Sequence, residues 1–548
     1  MGFRESKNFS LSSISSEIQN FWSKNDVFSK SFNKENRSDF IFYEGPPSAN
    51  GKPGIHHVMA RTIKDAFCRY KTLKGYNVKR KAGWDTHGLP VELGVEKELG
   101  ISKDDIGDKI SISEYNNACK EAVMKYTSEW ESLTNKMGYW IDLSDPYVTY
   151  KPKYMETVWW LIKSISEKGL LYKGYTVQPY SPAAGSGLSS HELNQPGAYK
   201  QISDTSVIAQ FKCVEDDTSA KFNSLYPFYF LAWTTTPWTL PSNTALTVGA
   251  KIEYSFIKTF NQYTKEKTTV VVASSLIEKV FGKNFFIVKH EDELETFQDS
   301  NSKIPYCVIT SCKGIDIENL RYERVWDESP LPIDNPENAF RVILGDFVTT
   351  EDGTGIVHTA PTFGADDYKA AKSATPEVPP LQVLDSNGNK VPLVDLKGKF
   401  IDGIGMISGK YVKNEYYEED DVPEKSVDVE IAIRLKEKNL AFKVERYSHS
   451  YPHCWRTDKP VLYYPMESWF IKVSELTDKM FNLNKNINWK PSSTGEGRFG
   501  NWLKSANDWN LSRSRFWGVP LPIWVNEENS EYKIVGSVEE LVNEINIS

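Results

Sequence analysis

An apolar strand, a turn rich in proline and glycine and a helix are predicted to follow one another between residues 40 and 75. The strand is Phe40–Tyr43, and Gly75 is placed to end the helix. Apolar residues recur at helical spacing, at Met59, Ile63, Phe67 and Tyr70. The turn carries His56 and His57 to a helix N-terminus, where unpaired N–H groups and the helix dipole favour phosphate. Two adjacent loop histidines are in themselves ordinary surface residues, so the case for an anion site depends on the flanking residues.

The flanking residues read GPPSANG at 45–51, PGIHH at 53–57 and GWDTHGLPVE at 83–92. This combination resembles the isoleucyl-tRNA synthetases, which are class I aminoacyl-tRNA synthetases. The valyl and leucyl enzymes carry different residues around both the histidine motif and residues 83–85, which favours isoleucine. A valyl enzyme is the nearest alternative within the family.

The family signature His-Ile-Gly-His is altered here, because residues 54–57 read Gly-Ile-His-His. The outer histidine and the glycine are exchanged. The resemblance implies that His57 binds the phosphates of ATP, that His56 supplies the other imidazole from a shifted position, and that both act in catalysis. It also implies that Gly54 belongs to the ATP site.

Charge and composition restrict the classes of partner. The 548-residue chain has a formal net charge of −8, so no overall positive field indicates nucleic acid, and tRNA contacts must come from local clusters such as Lys71–Lys74 and Lys79–Lys81. Six scattered cysteines are typical of reduced thiols in the cytosol. No apolar stretch has the length of a membrane span, and the first residues lack the apolar core of a signal peptide. The sequence therefore predicts a cytoplasmic protein without a membrane partner.

Three regions differ in sequence pattern. Residues 1–195 mix strands and helices, residues 196–410 consist of β-branched runs broken by turns, and residues 411–548 return to mixed α/β patterns. With the resemblance, this predicts an α/β fold. An incomplete Rossmann-type catalytic domain is interrupted by a mainly β editing domain, the CP1 insertion, and resumes after it.

The middle region carries a second set of motifs. The buried-strand run 228–233 leads into TTTPWTLPSN at 234–243, and GTGIVHTAP at 353–361 is followed by GADD at 364–367. Taken singly, threonines are good strand formers and paired aspartates often cap helices. Taken together, the motifs resemble the editing domain that hydrolyses misacylated tRNA in the isoleucyl, valyl and leucyl enzymes. The resemblance implies that Asp367 holds the α-amino group of the aminoacyl ester. It implies that the ester and terminal ribose are lined by Thr234, Thr235, Thr236, Asn243 and His358.

Physical chemistry explains why such a site is needed. One methylene group gives about 1–3 kcal/mol of discrimination, a value for which isoleucyl enzymes are themselves the standard case. A smaller second pocket that admits valine and rejects isoleucine corrects the resulting errors. Hydrolysis there needs a positioned water and an oriented ester. No Ser-His-Asp or Cys-His arrangement stands out around the motifs, and His358 with Asp367 gives only two ligands for a metal.

A structural zinc site is not expected within residues 1–548. The segments 180–185 and 453–457 align with two paired-cysteine knuckles of relatives. Three of the four cysteines are replaced, by Ser181, Ala184 and Thr457, which leaves Cys454. Zinc needs about four ligands, so we expect packing and hydrogen bonds to hold these knuckles instead.

The last region resembles the return to the catalytic domain, with GRFGNW at 497–502 and DWNLSRSRFWGVPLPIW at 508–524. Tryptophans flanked by glycine and proline can wall an apolar slot. Trp517 is the candidate wall for the isoleucine side chain, and several nearby tryptophans are alternatives to it. The resemblance implies that Asp85 binds the α-ammonium group of the isoleucine substrate. It also implies that Pro46 packs against this amino acid. Neither the Lys-Met-Ser-Lys-Ser motif nor a helical anticodon-binding domain occurs. We therefore expect the chain to correspond to roughly the N-terminal half of the enzyme and to activate isoleucine very poorly by itself.

The resemblance implies an isoleucine–tRNA ligase that uses ATP with Mg²⁺, isoleucine and tRNA(Ile), acts as a monomer and edits Val-tRNA(Ile). Two alternatives remain open at this stage. One is a hydrolase that only edits, and the other is a non-catalytic tRNA-binding fragment. The histidine motif and the tryptophan-rich return argue against the first, and the exchanged order at residues 54–57 is the support for the second.

Overall fold

The computed structural model describes residues 10–32, 35, 37–298, 302–526 and 531–545. The chain divides into two compact units, one formed by residues 1–172 and 470–548 and the other by residues 173–469. None of the helices among the described residues is long and apolar enough to cross a membrane.

The first unit contains a parallel three-stranded sheet in the order β1-β2-β3. Its strands are β1 (Asp39–Tyr43), β2 (Asn77–Trp84) and β3 (Asp142–Val148). The helices in the N-terminal segment of this unit are α1 (Leu11–Lys24), α2 (Ile55–Leu73), α3 (Leu89–Leu99), α4 (Ile112–Val123), α5 (Thr127–Met137) and α6 (Pro152–Glu167). Parallel strands need crossover helices, and α2 connects β1 to β2 in this way.

The predicted strand, turn and helix are confirmed by β1 and α2. Helix α2 begins after Gly54 and ends just before Gly75, whose φ of +91° suits glycine. The apolar side of α2 faces solvent, however, since Met59 is 66% exposed and Phe67 is 55% exposed. Strand β1 is an edge strand of its sheet among the described residues.

The second unit is built on a ten-stranded mixed sheet. The strands of this unit are β4 (Leu171–Ser181), β5 (Ser186–Gly187), β6 (Tyr199–Lys212), β7 (Phe228–Thr234), β8 (Ala245–Val248), β9 (Glu253–Phe260), β10 (Lys267–Ala273), β11 (Phe285–Ile287), β12 (Ile304–Lys313), β13 (Arg341–Leu344), β14 (Ile356–Thr359), β15 (Val383–Leu384), β16 (Lys390–Val391), β17 (Ala441–Pro452) and β18 (Leu462–Ile471). The order of the strands in the sheet is β11-β12-β9-β10-β7-β14-β8-β13, and β6 pairs with both β7 and β17. Its helices are α7 (Ser190–Leu193), α8 (Ile277–Phe281), α9 (Ala365–Ser373) and α10 (Val427–Glu437).

The core of the second unit is aromatic and fully enclosed. Its largest buried side chains include Phe211, Phe228, Phe230, Phe256, Trp326 and Phe442. Burying such rings contributes on the order of 2–3 kcal/mol each, which fixes the sheet that carries the threonine-rich loop.

This compact unit, residues 173–469, extends beyond the range 196–410 on both sides, and that range stays a prediction for the editing domain. The long antiparallel pairing of β6 with β17 runs from Tyr199↔Pro452 to Ala209↔Ala441 and adds residues after 410 to the sheet. Strands β4 and β18 carry the chain between the two units.

After β18 the chain completes the first unit with short elements. They are α11 (Thr477–Asn484), α12 (Gly500–Lys504), β19 (Trp509–Asn510), β20 (Ile523–Val525), β21 (Tyr532–Ile534) and α13 (Val538–Ile545). A salt bridge of 2.5 Å from Lys163 on α6 to Glu540 on α13 ties the end of the described chain to its earlier part. The predicted fold class, an α/β unit with a parallel sheet and a mixed β insertion, is confirmed.

Candidate functional site

The predicted editing residues meet at one edge of the large sheet. Strands β7 and β14 are parallel neighbours, with Val357 opposite Trp233, so their carboxyl ends lie side by side. A cavity of about 410 Å³ opens at this edge. Its lining includes Thr234, Thr235, Thr236, Thr239, His358 and Asp367.

The threonine-rich loop is held by its own hydrogen bonds and by a buried carboxylate. The Thr236 N–H donates to Oγ1 of Thr234 (3.0 Å), and Pro237 opens a buried 3₁₀ turn that runs to Ser242. The Trp238 N–H donates to Oδ1 of Asp428 on α10 (2.8 Å). The loop therefore presents its hydroxyl groups from a fixed backbone.

Two glycines let the opposite wall approach closely. Gly353 and Gly355 both have a φ of +74°, in the left-handed region. A Cβ on Gly353 would lie 2.8 Å from the Trp233 ring, and one on Gly355 would lie 2.4 Å from Cβ of Ala273. The sequence GTG is thus required by both conformation and space.

His358 lies in the cavity wall with both ring nitrogens engaged. Nε2 is 3.0 Å from Oγ1 of Thr239, and Nδ1 is 2.8 Å from Nδ2 of Asn243. Burial lowers the pKa of His358 to about 3, so the ring is neutral at physiological pH. Asn243 is buried and is not among the lining residues of the cavity, which it reaches through its hydrogen bond to His358. Its predicted role at the ester stays a prediction.

Asp367 lies in the first turn of α9, at the floor of the cavity. Its Oδ2 accepts a hydrogen bond from the Ala360 N–H (2.8 Å), and a Cβ on Gly364 would lie 2.7 Å from the carboxylate. Burial raises the pKa of Asp367 to about 6, with a further contribution from Asp366. A carboxylate in such a place can bind an ammonium group strongly, because little water competes with it.

The histidine turn of the first unit has a different character. His56 is exposed, and its ring centroid is 3.8 Å from that of His57. The Gly54 N–H donates to Nδ1 of His57 (2.9 Å), so the proton of a neutral His57 sits on Nε2. Loss of water and the nearby His56 lower the pKa of His57. The turn is supported by Trp130, whose Nε1 donates to the carbonyl oxygen of Gly51 (2.9 Å).

The candidate isoleucine residues gather around the end of β2. The Asp85 N–H donates to the carbonyl oxygen of Pro47 (3.0 Å), which sets the exposed Asp85 side chain beside the turn that contains Pro46. Nε1 of Trp517 donates to the carbonyl oxygen of Thr86 (2.5 Å). Trp517 therefore lies next to the residue that follows Asp85.

Sequence reasoning missed the carboxylate that holds Trp517 in place. Glu92 is buried and accepts hydrogen bonds from the backbone N–H groups of Phe516 (3.1 Å) and Trp517 (2.9 Å) and from Nε of Arg515 (2.9 Å). Arg515 also pairs with Glu96. The two motifs 83–92 and 508–524 contain these residues, but a contact across more than 400 residues leaves no local pattern in the sequence.

The knuckle positions of the second unit are held by hydrogen bonds and packing. Oγ of Ser181 accepts from the Ala184 N–H (3.2 Å), and the Cys454 N–H donates to the carbonyl oxygen of Lys459 (2.8 Å). Cys454 is buried. Over the described parts of the chain, no group of three or more His, Cys, Asp or Glu side chains is arranged to hold a metal ion.

The chain is similar to known tRNA synthetases over nearly its whole length. Residues 17–548 match the family model of tRNA synthetases class I (I, L, M and V). An isoleucine–tRNA ligase of Bacteroides fragilis strain YCH46 is 55% identical over 561 residues, which cover 99% of this chain and 48% of that protein. The isoleucine–tRNA ligase of Cytophaga hutchinsonii is 55% identical over 100% of this chain and 49% of its own length, and that of Clostridium tetani is 41% identical over 96% and 44%.

The chain spans about half the length of these relatives, and the match extends over both of its compact units. It belongs to the class I tRNA synthetase family of the I, L, M and V enzymes, and it is a homologue of the isoleucine–tRNA ligases.

Proposed function

We propose that this chain carries the editing site and the first part of the synthetic site of an isoleucine–tRNA ligase. In the synthetic reaction, the carboxylate of isoleucine attacks the α-phosphate of ATP, which releases pyrophosphate, and the acyl group then passes to the terminal ribose of tRNA(Ile). In the editing reaction, water cleaves the ester of Val-tRNA(Ile). The enzyme acts in the cytoplasm as a monomer.

The cavity of the second unit is the observation that carries the proposal. Three features converge on it, namely a row of threonine hydroxyl groups, the buried neutral His358 and the carboxylate of Asp367. Such a site can hold an aminoacyl ester by its ammonium group and leave the carbonyl facing hydroxyl groups and water. Orientation of the ester is the main contribution to hydrolysis at a site of this kind.

The first unit supplies the contacts of the activation step. Nε2–H of His57 is available as a donor to the phosphates of ATP, and His56 and the turn at Gly54 complete that edge of the nucleotide site. Mg²⁺ enters with ATP as part of the substrate. Asp85 binds the α-ammonium group of isoleucine, while Pro46 and Trp517 border its side chain. Donors that are already in place when charge develops lower the barrier without reorganisation.

The experiment compares release of valine from Val-tRNA(Ile) with release of isoleucine from Ile-tRNA(Ile). The chain is expected to release valine selectively, and Asp367→Ala is expected to lower that rate by at least about 100-fold, because a charged contact to the substrate is lost. Asp366→Ala is the matched control, since Asp366 is the exposed neighbour in the same helical turn. Equal rates for the two esters, or equal losses in the two variants, would contradict the proposal.

A further inference from the structure

A line of hydrogen bonds runs behind the cavity from Tyr322 to Thr239. The hydroxyl of Tyr322 lies 2.6 Å from Oδ1 of Asn243, Nδ2 of Asn243 lies 2.8 Å from Nδ1 of His358, and Nε2 of His358 lies 3.0 Å from Oγ1 of Thr239. Oγ1 of Thr239 in turn lies 2.8 Å from the carbonyl oxygen of Thr236. Apart from Thr236, every member of this line is buried.

The orientation of the Asn243 amide sets the direction of the whole line. Its Nδ2 faces two backbone carbonyl oxygens, those of Ala245 (2.8 Å) and Thr359 (3.4 Å). If the amide were turned over, its oxygen would face these two carbonyl oxygens with no hydrogen between them. The nitrogen is therefore on this side, and the oxygen accepts from the hydroxyl of Tyr322.

The protons of the remaining groups follow from this orientation. Because Nδ2 of Asn243 donates, Nδ1 of His358 must accept and carries no hydrogen. A neutral imidazole then has its hydrogen on Nε2, which donates to Oγ1 of Thr239. The hydroxyl hydrogen of Thr239 is used by the carbonyl oxygen of Thr236, so one lone pair of Oγ1 is left for a hydrogen bond from the cavity.

We propose that Asn243 locks His358 as the neutral Nε2–H tautomer, and that Tyr322, which anchors the amide oxygen of Asn243, is a positioning residue for hydrolysis in the cavity. His358 is then a donor that orients Thr239, and it does not take a proton from the attacking water. Thr239 in consequence offers an acceptor to a water or ribose hydroxyl in the cavity. The kinetic part of this inference rests on the proposed editing function, whereas the tautomer does not depend on it.

Burial agrees with this assignment. The Tyr322 side chain is 2% exposed, and burial keeps its pKa well above the ordinary value, so the phenol stays protonated and remains a donor. The ring of His358 is neutral for the same reason. The cavity lining also includes the carboxyl groups of Asp352 and Asp367, and Oδ2 of Asp367 accepts a hydrogen bond from the Ala360 N–H.

The test reads the tautomer directly. In ¹⁵N-histidine-labelled protein at pH 7, long-range ¹H–¹⁵N spectra are expected to show a protonated Nε2 and a bare Nδ1 for the histidine whose signals disappear in the His358→Gln variant. The other histidines among the eight of the chain serve as internal references. A proton on Nδ1 of His358, or a doubly protonated ring, would overturn the proposal.

The positioning role is tested with Tyr322→Phe, which removes the phenol donor and leaves the ring. We expect His358 to keep its tautomer, because the carbonyl oxygens of Ala245 and Thr359 still orient the Asn243 amide. We expect kcat for valine release to fall about tenfold, with KM changed by less than about twofold, because the amide loses the hydrogen bond that anchors its oxygen. Tyr226→Phe is the matched control, because it removes a phenol-to-carbonyl hydrogen bond elsewhere in the same unit. An unchanged kcat in Tyr322→Phe would refute the role. If the unmodified chain released no valine, the proposed function would fail, while the spectra would still decide the tautomer.

Discussion

The two compact units differ in how completely they enclose the side chains that carry their chemistry. In the second unit, a ten-stranded sheet packs against a core rich in aromatic side chains. His358 is 6% exposed there, and both of its ring nitrogens are hydrogen-bonded. In the first unit, the sheet has three strands, His56 is exposed, and the helix that begins beside the histidines turns an apolar side to solvent.

This difference shows two ways of holding a reactive group. The second unit fixes its cavity through a buried frame, so its geometry is set before any ligand arrives. The first unit fixes its histidine turn through a few contacts, such as Trp130 to Gly51 and Gly54 to His57. A long apolar helix face in water is unusual for a folded protein, and it makes the first unit the more easily perturbed of the two.

The largest expected effect is the loss of stability when a buried phenylalanine is truncated, compared with truncation of an exposed one. Phe230 on β7 is fully buried, so Phe230→Ala is expected to lower the free energy of unfolding of the second unit by about 3–5 kcal/mol. Phe67 on α2 is 55% exposed, and Phe67→Ala is expected to change stability by less than about 0.5 kcal/mol. Hydrogen exchange of the β7 and α2 amides measures the two effects separately. Similar losses in both variants would remove the contrast between the units.

A somewhat smaller effect is expected at the ion pairs of the first unit. Arg515→Ala leaves the buried Glu92 and Glu96 without their cation, which costs about 3 kcal/mol locally. We expect the segment around Trp517 to become the first site of limited proteolysis. Arg513→Ala is the control, since Arg513 is exposed and bonds backbone carbonyl groups nearby. A digestion pattern unchanged by Arg515→Ala would show that the segment is held by other contacts.

The smallest effect concerns Asp367, and its sign depends on pH. Burial raises the pKa of Asp367 from its ordinary value near 3.8 to about 6, so between these values the folded protein retains a proton that the unfolded chain has lost. Raising the pH through this window therefore lowers the free energy of unfolding. Asp367→Asn, which carries no charge, is expected to be more stable than the unmodified chain by about 1–3 kcal/mol at pH 8 and equally stable below pH 4.

Urea denaturation at the two pH values measures this effect, and the same shift predicts a pH profile for editing. Valine release should fall as the pH drops below about 6, because the carboxylate that attracts the ammonium group becomes protonated. A stability gain that is equal at pH 4 and pH 8 would show that the charge of Asp367 is not its cause.

Local patterns predicted more of the fold than of the site. Helical spacing and Gly75 were enough to place α2, and the runs of β-branched residues indicated the strands of the large sheet. The exposed side of α2 could not be predicted, because amphipathic spacing marks a face without saying what covers it. Thr234, His358 and Asp367 line one cavity, as the resemblance of their motifs to an editing domain predicts.

The supporting residues of the site could not be found in this way. Tyr322 meets Asn243 across 79 positions, and Arg515 meets Glu92 across 423. Neither pair forms a spaced motif, since each partner lies on a different element and the pairing depends on the packing of whole units. The role of Asn243 at the ester stays a prediction, and its hydrogen bond to His358 depends on how β14 and the threonine-rich loop pack.

The most direct test of the central claim is the ratio of valine release from Val-tRNA(Ile) to isoleucine release from Ile-tRNA(Ile), measured side by side with the same chain. The claim that the enclosed cavity of the second unit is an editing site predicts a ratio well above one that collapses in Asp367→Ala and survives in Asp366→Ala. A ratio of one, or a ratio unaffected by Asp367→Ala, would contradict it.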